Sequence, residues 1–229
     1  MTKSKKILIV AAHPDDEILG CGGTVARLIT AGYTAYTLIL GEGITSRYND
    51  QTSSPKEKKE LLSLKNNIEK ANKIIGIKDT FVFDFPDNSF DKVPLLEIVK
   101  VIEKIKNEIK PEIIFTHFKD DLNVDHKITY NAVITSTRPL PEETVKEIYS
   151  FEVLSSTEWN FPTTFSPDIF YDISETIDLK IKAMESYKSE IRKFPHPRSS
   201  KGIRLNAQCW GMKVGLNYAE AFKCVRKII

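Results

Sequence analysis

The sequence predicts an α/β fold: a Rossmann-like, three-layer sandwich around a mainly parallel sheet, built as a single domain over residues 1–229. Two observations predict it. Across the first two-thirds of the chain, short apolar runs alternate with longer stretches of helical spacing, which is the pattern of βαβ units. The opening run Ile7-Leu8-Ile9-Val10 is apolar at every position, as a strand buried on both faces of a parallel sheet must be. At 229 residues the chain can bury one sizeable core and is short for two.

Residues 6–11 are the first strand. Residues 18–31 read as a helix whose entry is rich in small residues (Gly20, Gly22, Gly23), so it can lie close to the sheet. Residues 34–40 make the second strand, ended by Gly41-Glu42-Gly43. Ser54 then offers an N-cap and Pro55 a proline at the first helical position. The helix they open runs to about residue 75 on Leu61, Leu64, Ile68, Ala71 and Ile75. A third strand covers 80–85, a helix with a Lys/Glu solvent face covers 94–109, and a fourth strand covers 112–117. A polar loop over 119–125 leads into a helix over 126–137. From about residue 146 the pattern changes, and this part is expected to contribute substrate-facing loops. Strands are predicted over 147–153 and 168–173, and a helix over 174–191 with Ser174 as its cap and Asp178 in its first turn. The segment from Phe194 to Ser200 is too proline-rich for either element. A helix over 201–214 and a short strand over 219–225 close the fold.

Composition narrows the function. Lys plus Arg number 33 against 31 Asp plus Glu, a formal charge of +2, which supplies no field for nucleic acid or an anionic membrane. Hydrophobic residues at 41% place the chain among globular proteins rather than disordered ones. Cys21, Cys209 and Cys224 are odd in number and far apart, which argues against a disulfide framework and for a reducing compartment. Lys3, Lys5 and Lys6 precede an apolar stretch far too short for a signal peptide, and no run approaches the ~20 apolar residues of a membrane helix. A cytoplasmic protein is expected.

In sheets of this kind ligands bind beyond the carboxyl ends of the strands. That rule selects His13, Asp15 and Asp16 after the first strand, Glu42 and then Arg47 after the second, and His117 leading to Asp125-His126 after the fourth. Three of the four histidines fall on this one edge, and His196 lies in a loop able to fold over it. His13, Asp16 and His126 make a three-ligand zinc set with a position left for water. Two imidazoles favour zinc over magnesium, and Fe2+ suits the same ligands. Asp15, beside a ligand but not needed as one, is the natural general base and then the acid for a leaving amine. Glu17 is either a buried partner of the site or a carboxylate at a helix start. A double aspartate after the first strand also occurs in magnesium-binding receiver domains, with Asp84 as the nearest phosphoacceptor, but that reading leaves the histidines unexplained.

These residues carry a resemblance. Ala12-His13-Pro14-Asp15-Asp16-Glu17 with Gly20-Cys21-Gly22-Gly23, Gly41-Glu42-Gly43 with Arg47, Asp125-His126, His196-Pro197-Arg198-Ser199 and Tyr218-Ala219-Glu220-Ala221-Phe222 together resemble the PIG-L/LmbE-like zinc N-deacetylases. The resemblance implies the same metal set, Asp15 as base, and Arg47 on the sugar hydroxyls, with Glu42 and Arg198 as further substrate contacts. One departure stands out. The family's second motif reads His-x-Asp-His, its first His donating to the oxyanion, whereas this chain has Asn123-Val124-Asp125-His126. An asparagine amide can donate a hydrogen bond to an oxyanion but not a proton. Asp125 is then left to orient His126 or to pair with another loop, and His196 becomes a candidate for the missing cationic role. His117 is either a partner of the ligands or a satisfied histidine at a strand end. Asp120 and Asp121 read as loop solvation, with a hydrogen bond to a ligand His as the other option.

The expected function is removal of the N-acetyl group from an amino sugar or sugar conjugate by zinc-activated water. The segment 151–165, with Trp159 and Phe161, and Tyr149 before it, is either core or a stacking wall for the sugar. Ser155-Ser156-Thr157-Glu158-Trp159 is similar to a segment of family members in bacterial surface-glycan pathways, which implies a nucleotide-linked or glycan-precursor sugar. The alternatives are an amidase acting on another N-acyl small molecule, such as a thiol glycoside or antibiotic intermediate, and a weakened glycan-binding module. The expected partner is a small amino-sugar substrate, with a homo-oligomer possible.

Overall fold

The structure, a computed structural model, describes residues 4–43 and 55–229, the side chains of residues 55–58 excepted. Its seven strands are β1 (Lys6–Ala11), β2 (Thr34–Gly41), β3 (Asp79–Phe85), β4 (Ile113–His117), β5 (Glu147–Phe151), β6 (Ile169–Asp172) and β7 (Ala219–Lys227). Its helices are α1 (Asp16–Thr30), α2 (Pro55–Ile75), α3 (Leu95–Ile109), α4 (Val124–Ser136), α5 (Ile177–Met184) and α6 (Ser200–Val214). The strands form one sheet in the order β3-β2-β1-β4-β5-β7-β6. The first five in that row are parallel, and β7 runs antiparallel to both of its neighbours. The predicted α/β class and mainly parallel sheet are what is found.

The layers follow from the two-residue period of β1. Ile7, Ile9 and Ala11 enter a core shared with α1, α2, α5 and α6. Leu8, Val10 and Ala12 enter a second core shared with α3 and α4. Helix α1 lies so close to the sheet that a Cβ on Gly20 would stand 2.3 Å from the Phe151 ring, so any side chain there would force the helix away.

The N-terminal half of α1 is gripped from the side. Lys180 Nζ, on α5, donates to the Leu19 carbonyl at 2.7 Å and pairs with Glu220 of β7 at 2.6 Å. Glu220 in turn accepts the backbone N–H groups of Gly23 and Thr24, at 3.0 and 2.7 Å. Both charged side chains are buried, and both are hydrogen-bonded, the condition under which buried charge is tolerated.

Several boundaries differ from expectation. The helix predicted over 174–191 is only Ile177–Met184, because Tyr187 turns inward to donate to Glu17 and draws the chain off the helix axis. Ser174 does not cap it; its hydroxyl bonds Asp172 at 2.6 Å. The strand predicted to 153 ends at Phe151, since the Val153 N–H is taken by the Thr157 hydroxyl at 2.8 Å. Helix α4 starts at Val124 rather than at 126, capped by Asn123. The predicted N-cap Ser54 lies outside the described residues.

Candidate active site

The carboxyl ends of β1, β3 and β4 open on one cleft of about 250 Å³, lined among others by His13, Asp15, Asp16, Asp87, Asn88, Asn123, His126 and Arg198. The turn from β1 into α1 sets its chemistry. Asp15 stands before the helix with φ 100°, a left-handed backbone, and its side chain makes no capping bond. Its N–H is instead received by the Glu17 carboxylate at 3.0 Å. Glu17 is fully buried, with Tyr187 and Asn72 donating to it, so it is a buried partner that holds the turn. Burial pushes its carboxyl up to about 7.

Asp16 is the convergence point. Its Oδ2 accepts the His13 N–H at 2.9 Å and faces three imidazole nitrogens: His126 Nε2 at 3.2 Å, His13 Nδ1 at 3.4 Å and His117 Nε2 at 3.5 Å. Ligand atoms of His13, Asp16 and His126 all lie within 4.8 Å of one another. Two imidazole nitrogens and one carboxylate oxygen at this spacing fit a borderline divalent metal such as zinc.

Each histidine of that set is held from behind, as metal-bound imidazoles are. His13 Nε2 lies 2.9 Å from Asp125 and 3.2 Å from Asp87. His126 Nδ1 lies 3.0 Å from Asp121. Asp121 is fully buried and accepts from Ser156, Thr157 and the Asn123 N–H, so it is a support of the site rather than loop solvation. Asp120 stays at the surface beside Lys119. His117 is a buried support as well. It accepts the Ala12 N–H at 2.8 Å and stacks on His126 with ring centroids 4.0 Å apart. Burial, with His126 adding to it, holds its ring well below the usual imidazole range.

Asp15 is not drawn into the histidine cluster. Arg198 Nη1 approaches it at 2.9 Å and Glu190 at 3.7 Å, while Arg198 Nε is fixed by the Leu154 carbonyl and the Ser155 hydroxyl. Burial pushes the Asp15 carboxyl well above the usual range, against the pull of Arg198. Asn123 uses its Oδ1 on the Asp125 N–H at 2.8 Å and its amide on Asn88 Oδ1 at 3.0 Å. Asp125 pairs with His13 rather than with His126, and its other oxygen takes the Phe90 N–H.

The remaining expectations lie away from this centre. His196 is not among the residues lining the cleft; it packs edge-on against Trp159, with centroids 5.6 Å apart, and accepts the Arg198 N–H. Glu42 borders a neighbouring cavity beside Leu64 and Lys65. Arg47 lies outside the described residues. Of the aromatic segment, Tyr149 and Phe151 are core, whereas Trp159 and Phe161 are exposed. Asp87 and Asn88 join the site without a motif of their own, although the carboxyl-end rule applied to β3 reaches them. Glu190 was hidden inside a helix predicted too long.

Residues 8–137 match the PIG-L family, described as GlcNAc-PI de-N-acetylase. The chain belongs to the PIG-L family. This PIG-L chain is 27% identical over 196 residues to a probable N-acetyl-alpha-D-glucosaminyl L-malate deacetylase 2 of Bacillus cereus, covering 81% of the chain and 84% of the relative. It is 26% identical over 229 residues to the diacetylchitobiose deacetylase of Thermococcus kodakarensis, covering 96% and 83%. The crystal structure of N,N'-diacetylchitobiose deacetylase from Pyrococcus horikoshii superposes with a TM-score of 0.78 at 21% identity, over 98% of this chain and 85% of that one, a likeness of fold. The PIG-L chain is thus an enzyme of the deacetylase class.

The charges in this PIG-L site predict a pH response. In protein stripped of metal, burial opposes the charging of His13 and His126, but their carboxylate neighbours win and raise them to about 10 and about 9. Both folded values exceed the unfolded ~6.5. The stability they contribute is therefore complete below about pH 6.5 and lost as pH rises through 9–10. Metal requires neutral imidazole, so metal uptake near pH 7.5 should release protons. Calorimetric titration with zinc in buffers of different ionisation enthalpy should show this release; equal heats in all buffers would contradict it.

Proposed function

We propose that this chain hydrolyses the N-acetyl amide of an amino sugar or amino-sugar conjugate, a nucleotide-linked or surface-glycan precursor, releasing acetate and the free amine. The observation that carries it is a buried carboxylate, Asp15, held by Arg198 in the cleft where His13, Asp16 and His126 converge. The names of the two relatives, both deacetylases of N-acetylated sugars, support the substrate class.

His13, Asp16 and His126 would hold the metal, zinc by preference and Fe2+ as the alternative. When bound, it supplies a Lewis acid for the acyl oxygen and eases deprotonation of water. Asp15 takes the proton from the attacking water and returns it to the departing nitrogen, a double task that suits a carboxyl whose proton affinity burial has raised. Arg198 keeps that carboxylate aimed into the cleft and, with Arg47, contacts the sugar, whereas Glu42 would meet only a substituent that extends into the adjoining cavity. The amide of Asn123 donates to the oxyanion of the tetrahedral intermediate. Asp125 holds His13 and Asp121 holds His126 in their working orientations. His196 remains the alternative donor, and its reach into the cleft depends on movement of its loop. Three cysteines without a disulfide favour a reducing, cytoplasmic location. Among the described residues no helix is long and apolar enough to cross a membrane.

The test is amine release from N-acetylglucosamine, its disaccharide and its nucleotide-linked form, with metal quantified on the same sample. Turnover with about one metal per chain supports the reading. Metal without turnover on any of these sugars would move the substrate to another N-acyl class, and no metal would remove the proposed chemistry.

A further inference from the structure

We infer that Asn88 is a positioning residue for the reaction: it locks the Asn123 amide so that one N–H, and only one, is left for the substrate. The inference rests on the oxyanion role proposed for Asn123 and extends it to a residue on a different strand end.

An asparagine side chain has one accepting oxygen and two donor hydrogens. In Asn123 the oxygen is engaged by the Asp125 N–H at 2.8 Å. Because a backbone N–H can only donate, this contact decides which end of the amide is oxygen. One Nδ2 hydrogen then goes to Asn88 Oδ1 at 3.0 Å. Two anchors on opposite ends of a planar group fix both its position and its rotation, and among the described residues they leave a single donor hydrogen uncommitted. Asn123 borders the cleft that also holds Asp15 and His126.

Asn88 is itself fixed in polarity from its far end. Its Nδ2 donates to Asp87 Oδ1 at 3.2 Å, and a carboxylate there can only accept, so Asn88 Oδ1 must turn toward Asn123. The same Asp87 oxygen lies 3.2 Å from His13 Nε2. The chain of contacts therefore runs from the backbone of α4 through two amides to the carboxylate behind a candidate ligand histidine. The backbone is bent to allow it: Asn88 has φ +53°, a left-handed conformation that asparagine tolerates better than most residues. Asn88 itself is exposed at the mouth of the cleft, so no packing requirement explains the side chain.

Asn88→Gly removes the amide while keeping a residue at ease with the positive φ, so folding is preserved. Three measurements decide. First, on whichever N-acetyl sugar of the panel is turned over, Asn88→Gly should lower kcat on the order of 10²-fold with little change in KM, since it misplaces a group used in the transition state. A kcat within about threefold of the parent, against the ~10²-fold expected, would overturn the inference. Second, in an Asn123→Ala background the same change should have almost no further effect, because the two act as a unit. Multiplying, independent losses would mean that Asn88 acts on something else. Third, without any substrate, the two side-chain NH2 protons of Asn123 in zinc-loaded protein should be resolved by NMR, the one bonded to Asn88 exchanging more slowly than the uncommitted one. They should broaden or exchange faster in Asn88→Gly. Unchanged protons would overturn the positioning claim even if no panel sugar is turned over, while altered protons with an inactive parent would leave the failure with the substrate reading alone.

Discussion

Asp15→Asn should lower kcat by about 10²–10⁴-fold while leaving the metal content of the protein unchanged. Asparagine has the shape of aspartate and accepts a left-handed backbone, so the turn with φ 100° at this position survives. The ligand atoms of His13, Asp16 and His126 are untouched, which is why metal binding should persist. What disappears is a function of Asp15 that an amide cannot imitate, taking a proton and giving it back. Arg198, 2.9 Å away, loses the nearer of its two charged partners at the same time, Glu190 remaining at 3.7 Å. Kinetics and metal analysis on one preparation check this. A rate within tenfold of the parent, short of the 10²-fold minimum expected of a lost general base, would assign proton transfer elsewhere, with His196 next in line.

The second large effect is on stability. Lys180→Met strands Glu220 as an unpaired carboxylate among buried groups and frees the Leu19 carbonyl that Lys180 engages. Breaking one side of a buried ion pair costs about 3–5 kcal/mol, which for a chain of this size lowers Tm by roughly 6–20 °C. Adding Glu220→Gln to Lys180→Met should restore part of the loss, because the neutral amide oxygen can still accept from the backbone of α1 without a buried charge. Denaturant titration of the two single variants and the double variant reads the coupling directly. Additive losses would mean that the two side chains do not act as a pair.

These two sites differ in how far they can be read from the sequence. The His13 to Glu17 cluster is legible because its members are neighbours along the chain, and one topological rule sends them to the ligand-binding edge of the sheet. Lys180 reads as an ordinary solvent-facing lysine of a helix, and nothing local reveals that Glu220, forty residues on, will cover it. The same distance effect hides Asp121. Its loop looks polar and solvated, yet Ser156 and Thr157 fold over it and make it the support of His126. His117 sits at a strand end as expected, but stacking on His126 depends on the crossover helix α4 and has no signature in the residues around it. The closing strand is legible in the sequence, but its place in the sheet between β5 and β6 is not, because pairing partners are chosen by the whole fold rather than by the strand. Asp87 and Asn88 were within reach, since the rule that selected the ends of β1, β2 and β4 applies equally to β3.

The left-handed backbone at Asp15 sets stability against catalysis at a single residue. A non-glycine side chain held at φ 100° stores strain on the order of 1–3 kcal/mol, kept in place by Glu17 below it and Arg198 beside it. Glycine would relax that strain and still build the turn, so a search for hardier variants that scores folding alone will drift toward glycine here and arrive at a more durable, silent protein.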